Sequence, residues 1–307
     1  MKPRIAFILL ILAGVSANAQ SQDSAAAAAD IGSTVERVTG LKVARQGEQV
    51  KISLPQTDLN VRLDGWSITP PMGLSSWAAF APAAHGAVVM GDFVLKDSEI
   101  APIEQLLQEV GLTVTGLHNH FVREEPRVMF MHVEGQGSAE SLAQAVKALV
   151  DRIRELRGGG LVSGSSTVVP GSLSAEEIGQ ELGQKAESTA GVVRVVIGRP
   201  DVKLLAHGTE ITSFMGFNTW AAFQGTADRA AVAGDFTMLE DEVAPVIAAL
   251  TRHKIEVIAV HNHMVHENPR VLFLHYWGVG PIKDLTTGLK DALSQTGKST
   301  VKPVTHQ

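Results

Sequence analysis

Met72-Gly73-Leu74-Ser75-Ser76-Trp77-Ala78-Ala79-Phe80 returns 143 residues later as Met215-Gly216-Phe217-Asn218-Thr219-Trp220-Ala221-Ala222-Phe223. The same offset carries Gly91-Asp92-Phe93 into Gly234-Asp235-Phe236, and His118-Asn119-His120 into His261-Asn262-His263. Between 72–137 and 215–280, 29 of 66 positions are identical without a gap. A constant offset over that length is the mark of a duplicated unit. Weaker matches, such as Gly40 with Gly183 and Asp58 with Asp201, extend it towards the N-terminus. The repeats are placed at 31–156 and 174–299, with the Gly/Ser-rich stretch 157–173 as a linker and 300–307 as a tail.

Within the first repeat, 31–39 reads as a short helix, and 49–54, 58–63, 75–80 and 87–95 as strands. Ile100, Ile103, Leu106, Leu107 and Val110 recur at helical spacing over 98–110, with Pro102 acceptable only in the first turn. Residues 112–122 and 127–133 then form two strands, and a second helix starting at Ser138 aligns Leu142, Ala145, Val146, Leu149, Ile153 and Leu156. Strands grouped together, without strict strand–helix alternation, predict an α+β fold with a mainly antiparallel sheet in each repeat. Two such copies are expected to pack about a pseudo-two-fold axis, as a monomer with an internal pseudo-dimer.

The 307 residues carry 26 basic and 32 acidic side chains, a net charge of −6, and no basic run, which argues against a nucleic-acid partner. The absence of cysteine excludes disulfides, thiolate metal sites and cysteine nucleophiles. Any metal must therefore be held by His, Asp or Glu. At the N-terminus, Lys2 and Arg4, the apolar run Ile5 to Val15, and Ala17-Asn18-Ala19 follow the order of a secretory signal peptide cleaved after Ala19. Residues 20–30 then form a flexible leader. The chain is expected to be periplasmic or secreted, without stable membrane insertion after cleavage.

The chemistry concentrates in the segment from His118 to His132. On a strand, His118 and His120 project to one face. A turn centred on Glu125 sets His132 opposite His118, about 5 Å away between Cβ atoms. Glu124 offers a fourth ligand or a general base. The second repeat keeps every member as His261, His263, Glu267 and His275. One site of three histidines and a glutamate is thus expected in each repeat, suited to Zn, Fe, Mn, Cu or Ni. Asp92 and Asp235 either orient a ligand histidine or act as a base, or else satisfy backbone groups at a bend. Arg127 and Arg270 either bind an anionic substrate or pair with Glu124 and Glu267. Trp77 and Trp220 read as core residues or pocket walls. His85, His207, His253, His266 and His306 have no histidine in the other repeat.

Trp-Ala-Ala-Phe, Gly-Asp-Phe, His-Asn-His and Glu-x-Pro-Arg together resemble the LppY/LpqO family of exported bacterial proteins. That resemblance implies the duplicated architecture and export, but no reaction. Some members look like lipoproteins; this chain lacks the lipid-bearing cysteine. Two classes of function follow. One is a metal-dependent hydrolase or oxidase acting on an unknown small molecule. The other is a non-catalytic metal carrier, sensor or envelope-binding module.

Overall fold

The computed structural model describes residues 31–159 and 168–297. The expected signal peptide, leader and tail, and residues 160–167 of the linker, lie outside the described residues.

The first repeat runs α1 (31–39), β1 (Ala44–Gln46), β2 (Gln49–Pro55), β3 (Arg62–Leu63), β4 (Trp66–Ser67), β5 (Ser75–Ala83) and β6 (Gly86–Lys96). It continues with α2 (Ile100–Val110), β7 (Thr113–His118), β8 (Val128–Gly137) and α3 (Ala139–Leu156). The second repeat follows the same plan: α4 (Ala175–Leu182), β9 (Ala186–Thr189), β10 (Val192–Gly198), β11 (Leu205–Ala206), β12 (Thr209–Glu210), β13 (Asn218–Gly225) and β14 (Ala230–Leu239). It ends with α5 (Val243–Arg252), β15 (Glu256–His261), β16 (Val271–Gly280) and α6 (Ile282–Leu293). Each repeat builds one six-stranded antiparallel sheet, ordered β1-β2-β5-β6-β8-β7 and β9-β10-β13-β14-β16-β15. The α+β reading and the duplication both hold.

Each sheet buries two faces. On its outer face, Phe80, Val89, Phe93 and Met131 meet Ile103, Leu107, Val146 and Leu149 of α2 and α3. Helix α3 forms where its apolar residues recur every three or four positions, and Ser138 caps it by accepting the Ser141 N–H at 3.0 Å. The inner faces of the two sheets turn towards each other. Loop residues Val202, Leu204, Ile211 and Met215 of the second repeat pack with Ala79, Ala81, Val88 and Met90 of the first. Reciprocally, the 59–74 segment packs with Val192, Ala222, Ala231 and Ala233. The layers run helices, sheet, sheet, helices. Covered on both sides, β14 is buried throughout.

Two sequence expectations need correction. The strand expected at 58–63 is reduced to Arg62–Leu63, because residues 59–61 belong to the segment that crosses to the other sheet. The strand expected at 112–122 stops at His118, so His120 lies in the connection before β8 rather than on a strand.

Candidate metal centre

A row of directly opposed residues crosses the inner face of the first sheet: Trp77 on β5, Asp92 on β6, His132 on β8 and Gly116 on β7. The second sheet repeats it as Trp220, Asp235, His275 and Ala259. Opposed residues share a face, so each sheet presents a tryptophan, an aspartate and a histidine to the interface. His118 pairs with Phe130, not with His132. The register differs from expectation by two residues, and a slip of two preserves the face. The histidines therefore still converge, with the rings of His118 and His132 stacked at 4.9 Å. His120 reaches them from the loop by lying flat on Phe130, ring to ring at 3.3 Å, as His263 lies on Phe273.

The expected separate site in each repeat gives way to one shared cluster. Because the inner faces pack together, His118 stacks on His261 at 3.6 Å, His120 meets His275 at 3.6 Å, and His132 meets His263 at 4.0 Å. All six are buried. Three groups have donor atoms within 4.8 Å of one another and could hold a metal: His118, His120 and His275; His118, His132 and His261; and Asp235, His261 and His263. Two of these groups draw on both repeats. Among the described residues, His118, His120 and His261 have no hydrogen-bond partner at either ring nitrogen, and neither do His132 Nε2, His263 Nδ1 and His275 Nε2. Buried polar atoms are normally paired, so these unpartnered nitrogens fit a cation. His132 Nδ1 donates to the Gly91 carbonyl at 3.3 Å and His275 Nδ1 to that of Gly234 at 3.0 Å. A carbonyl only accepts, which places the proton on Nδ1 and leaves the Nε2 lone pair facing the cluster.

Burial sets the protonation of the cluster. It holds His118, His120, His261 and His263 well below the usual imidazole range, with neighbouring histidines adding repulsion. It takes His132 and His275 down to about 3 despite their carbonyl partners. Asp92 is pushed up to about 8 by burial, partly opposed by Lys51, and Asp235 is raised well above the carboxylate range by the same cause. Without a cation, burial favours the neutral form of every imidazole and of both carboxyls.

The carboxylates nearest the histidines are the two aspartates, mid-strand rather than at a bend: Asp92 lies 3.6 Å from His120 Nε2, and Asp235 3.4 Å from His263 Nε2. Glu124 accepts the Val128 N–H at 3.2 Å and Glu267 the Val271 N–H at 3.4 Å, each closing the loop onto the next strand. Neither glutamate joins a donor group among the described residues. Arg270 pairs with Glu267 at 3.1 Å, whereas the exposed Arg127 turns to Asp97 at 3.8 Å. Of the unmatched histidines, His207 hydrogen-bonds Gln136 through Nδ1 and lies 3.1 Å from Glu134 across the interface, and His253 hydrogen-bonds Asp291.

A pocket of about 110 Å³ opens beside the cluster, lined by His120, His132, His263, His275 and both aspartates, and by Trp77 and Trp220. The tryptophans are thus pocket walls, and each leans on the other repeat: a Cβ at Gly216 would lie 2.9 Å from the Trp77 ring, and one at Gly73 would lie 2.8 Å from the Trp220 ring. Lys51 and Arg194 also line it. The sequence reading missed them, although they stand at the same offset of 143. The signal was there: both equivalent positions are basic, just upstream of the gapless block.

A family described as a Domain of Unknown Function (DUF1259) matches residues 33–152 and again 176–295. The chain belongs to this family. Each matched segment contains one His-Asn-His and the histidine of the next strand, His132 or His275, so one copy supplies half of the cluster and the duplicated chain all of it. No curated protein matches the chain. Among solved structures, the chain is similar to a trimeric bacterial microcompartment shell protein, PduB, at 10% identity and a TM-score of 0.20, over 84% of this chain and 94% of that one. Among the described residues, no helix is long and apolar enough to cross a membrane.

Proposed function

We propose that the chain is an exported metalloprotein of the LppY/LpqO type that holds transition-metal ions between its repeats and acts on a small molecule in the adjoining pocket. The observation that carries this reading is the set of buried, unpartnered imidazole nitrogens drawn from both repeats. Extending the first and third groups by the pseudo-two-fold relation gives two sets, which the group of His118, His132 and His261 bridges. One is Asp92, His118 and His120 with His275; the other is Asp235, His261 and His263 with His132. Imidazole and carboxylate donors suit Zn, Fe, Mn, Cu or Ni. An ion so held supplies Lewis acidity towards a bound water or substrate oxygen. His120, His132, His263 and His275 line the pocket as well as the sets, which favours a reactive centre over a closed carrier site. Asp92 and Asp235 supply these sets with the carboxylate that the sequence alone offered as Glu124 and Glu267.

The test is elemental analysis of protein purified anaerobically and reconstituted with each metal, beside a His118→Ala/His261→Ala variant. The wild type should retain transition metal and the variant should lose it. Wild-type protein that binds none defeats the proposal.

A further inference from the structure

Lys51 and Arg194 occupy equivalent positions on β2 and β10, and both line the pocket. Each is held by an aromatic face: Lys51 Nζ sits 4.0 Å from the centre of the Trp77 ring, and the Arg194 guanidinium 4.5 Å from that of Trp220. Cation–π contact fixes such a charge in place without neutralising it. Each also reaches across the interface to a backbone carbonyl. Lys51 donates to Phe214 at 3.2 Å, and Arg194 to Pro71 at 3.4 Å. Those bonds use one donor of an ammonium that has three and one of a guanidinium that has five.

Among the described residues, no ion pair joins either group to a carboxylate, unlike Arg157 and Arg199, which are paired with Glu99 and Glu242. Two half-buried cations with donor capacity left over therefore line a pocket that four of the cluster's histidines and both aspartates line too. Ser75 and Asn218, also at equivalent positions, add a hydroxyl and an amide to the lining. The size limits the occupant. A cavity of 150 Å³ takes benzene, so about 110 Å³ takes a smaller molecule.

We infer that the pocket binds a small oxyanion, a carboxylate or a tetrahedral anion such as phosphate or sulfate, clamped between Lys51 and Arg194 with its far side towards the histidines. This deepens the reading of the cavity as the working site and rests on it. The two cations themselves do not require a metal.

The test is thermal shift and calorimetric titration with orthophosphate, sulfate and acetate, and with acetamide as the neutral counterpart of acetate. It is run on chelator-stripped and on metal-reconstituted protein. At least one oxyanion should raise the melting temperature of the stripped protein while acetamide does not. Which anion binds tightest separates the planar from the tetrahedral class. A Lys51→Gln/Arg194→Gln variant should lose at least tenfold in affinity with unchanged metal content, and Lys51→Arg should restore most of the loss in the Lys51→Gln single variant. Oxyanion binding without metal uptake would remove the metal proposal and keep this one. If no oxyanion binds either form, if acetamide binds equally, or if the folded double variant keeps full affinity, the inference is wrong.

Discussion

Gly116→Ala probes whether the repeats are locked together at the histidine cluster. Gly116 lies opposite His132, and a Cβ there would come 2.6 Å from the carbonyl oxygen of Asn262, the residue between His261 and His263. Ordinary contact begins near 3.4 Å, so the facing loop must retreat by 0.8 Å or β7 must bend. The loop is not free to retreat, because the Thr115 hydroxyl donates to the His263 carbonyl at 2.7 Å. Overpacking of this kind costs about 1–3 kcal/mol. Removing a glycine from the unfolded chain returns about 0.4–1 kcal/mol, leaving roughly 1–2 kcal/mol of destabilisation. At about 2–4 °C per kcal/mol for a chain of this class, the melting temperature of metal-free protein should fall by a few degrees. Metal affinity should fall with it, since the shift displaces two ligands from their partners across the interface. Gly280→Ala is the control: it also sits in a strand, has no positive φ, and its Cβ would meet nothing within 4 Å. Scanning calorimetry and metal titration read both variants. If Gly116→Ala melts and binds metal like the wild type while Gly280→Ala does too, the interface is slack and the argument for composite ligand sets fails.

Metal uptake should release protons. Asp92 is protonated at pH 7 because burial pushes it up to about 8, so its ionisation on coordination frees one, and affinity weakens as pH falls below 8. Titrations in two buffers of different ionisation enthalpy should give different heats; identical heats contradict this. For the metal-free fold, His132 and His275 are depressed from 6.5 to about 3. Their contribution is present above pH 6.5 and is lost as pH falls towards 3, on the order of 2 kcal/mol each by pH 5. The urea midpoint of His132→Asn/His275→Asn should therefore vary less between pH 7 and 5 than that of the wild type, and an equal slope would count against the assignment. Arg157→Ala leaves Glu99 buried without its 2.8 Å partner and should cost about 3–5 kcal/mol in urea unfolding. Replacing the exposed Arg37 should cost about 1 kcal/mol or less.

Much of this was legible in one chain because the chain contains its own comparison. The offset of 143 exposed the duplication. Period-two and period-3.6 patterning placed α2, α3 and most of β2, β5, β6 and β8. The six histidines were singled out by their recurrence. What sequence did not contain was the packing of one inner face on the other. Periodicity reports which face of a strand is buried, not what buries it, so a helix-covered face and a sheet-covered face look alike. For that reason the sequence alone presents the hairpin as closing a site by itself, with Glu124 as the nearest carboxylate along the chain. Asp92 is nearer in space because β6 lies directly beside β8, with Asp92 opposite His132. Lys51 and Arg194 were missed for a related reason: a lone lysine on a strand reads as solvated until the opposing sheet is in place.

The composite arrangement makes a prediction that separate sites reverse. His120 and His275 come from different repeats and belong to one proposed ligand set, while His120 and His132 come from the same repeat and belong to different sets. His120→Ala/His275→Ala should therefore spare the set of Asp235, His261, His263 and His132, and keep about half the metal. His120→Ala/His132→Ala should damage both sets and keep little. With one site per repeat the outcomes exchange, since the second pair would then empty a single site. Elemental analysis of the two variants, each checked for an intact fold by circular dichroism, decides between the arrangements without any knowledge of substrate. The same logic accounts for the recurrence of the histidines through a sequence that has otherwise diverged at more than half its aligned positions. When each set borrows a ligand from the other repeat, loss of a histidine in either copy weakens a set completed by its neighbour, and neither copy can drift alone.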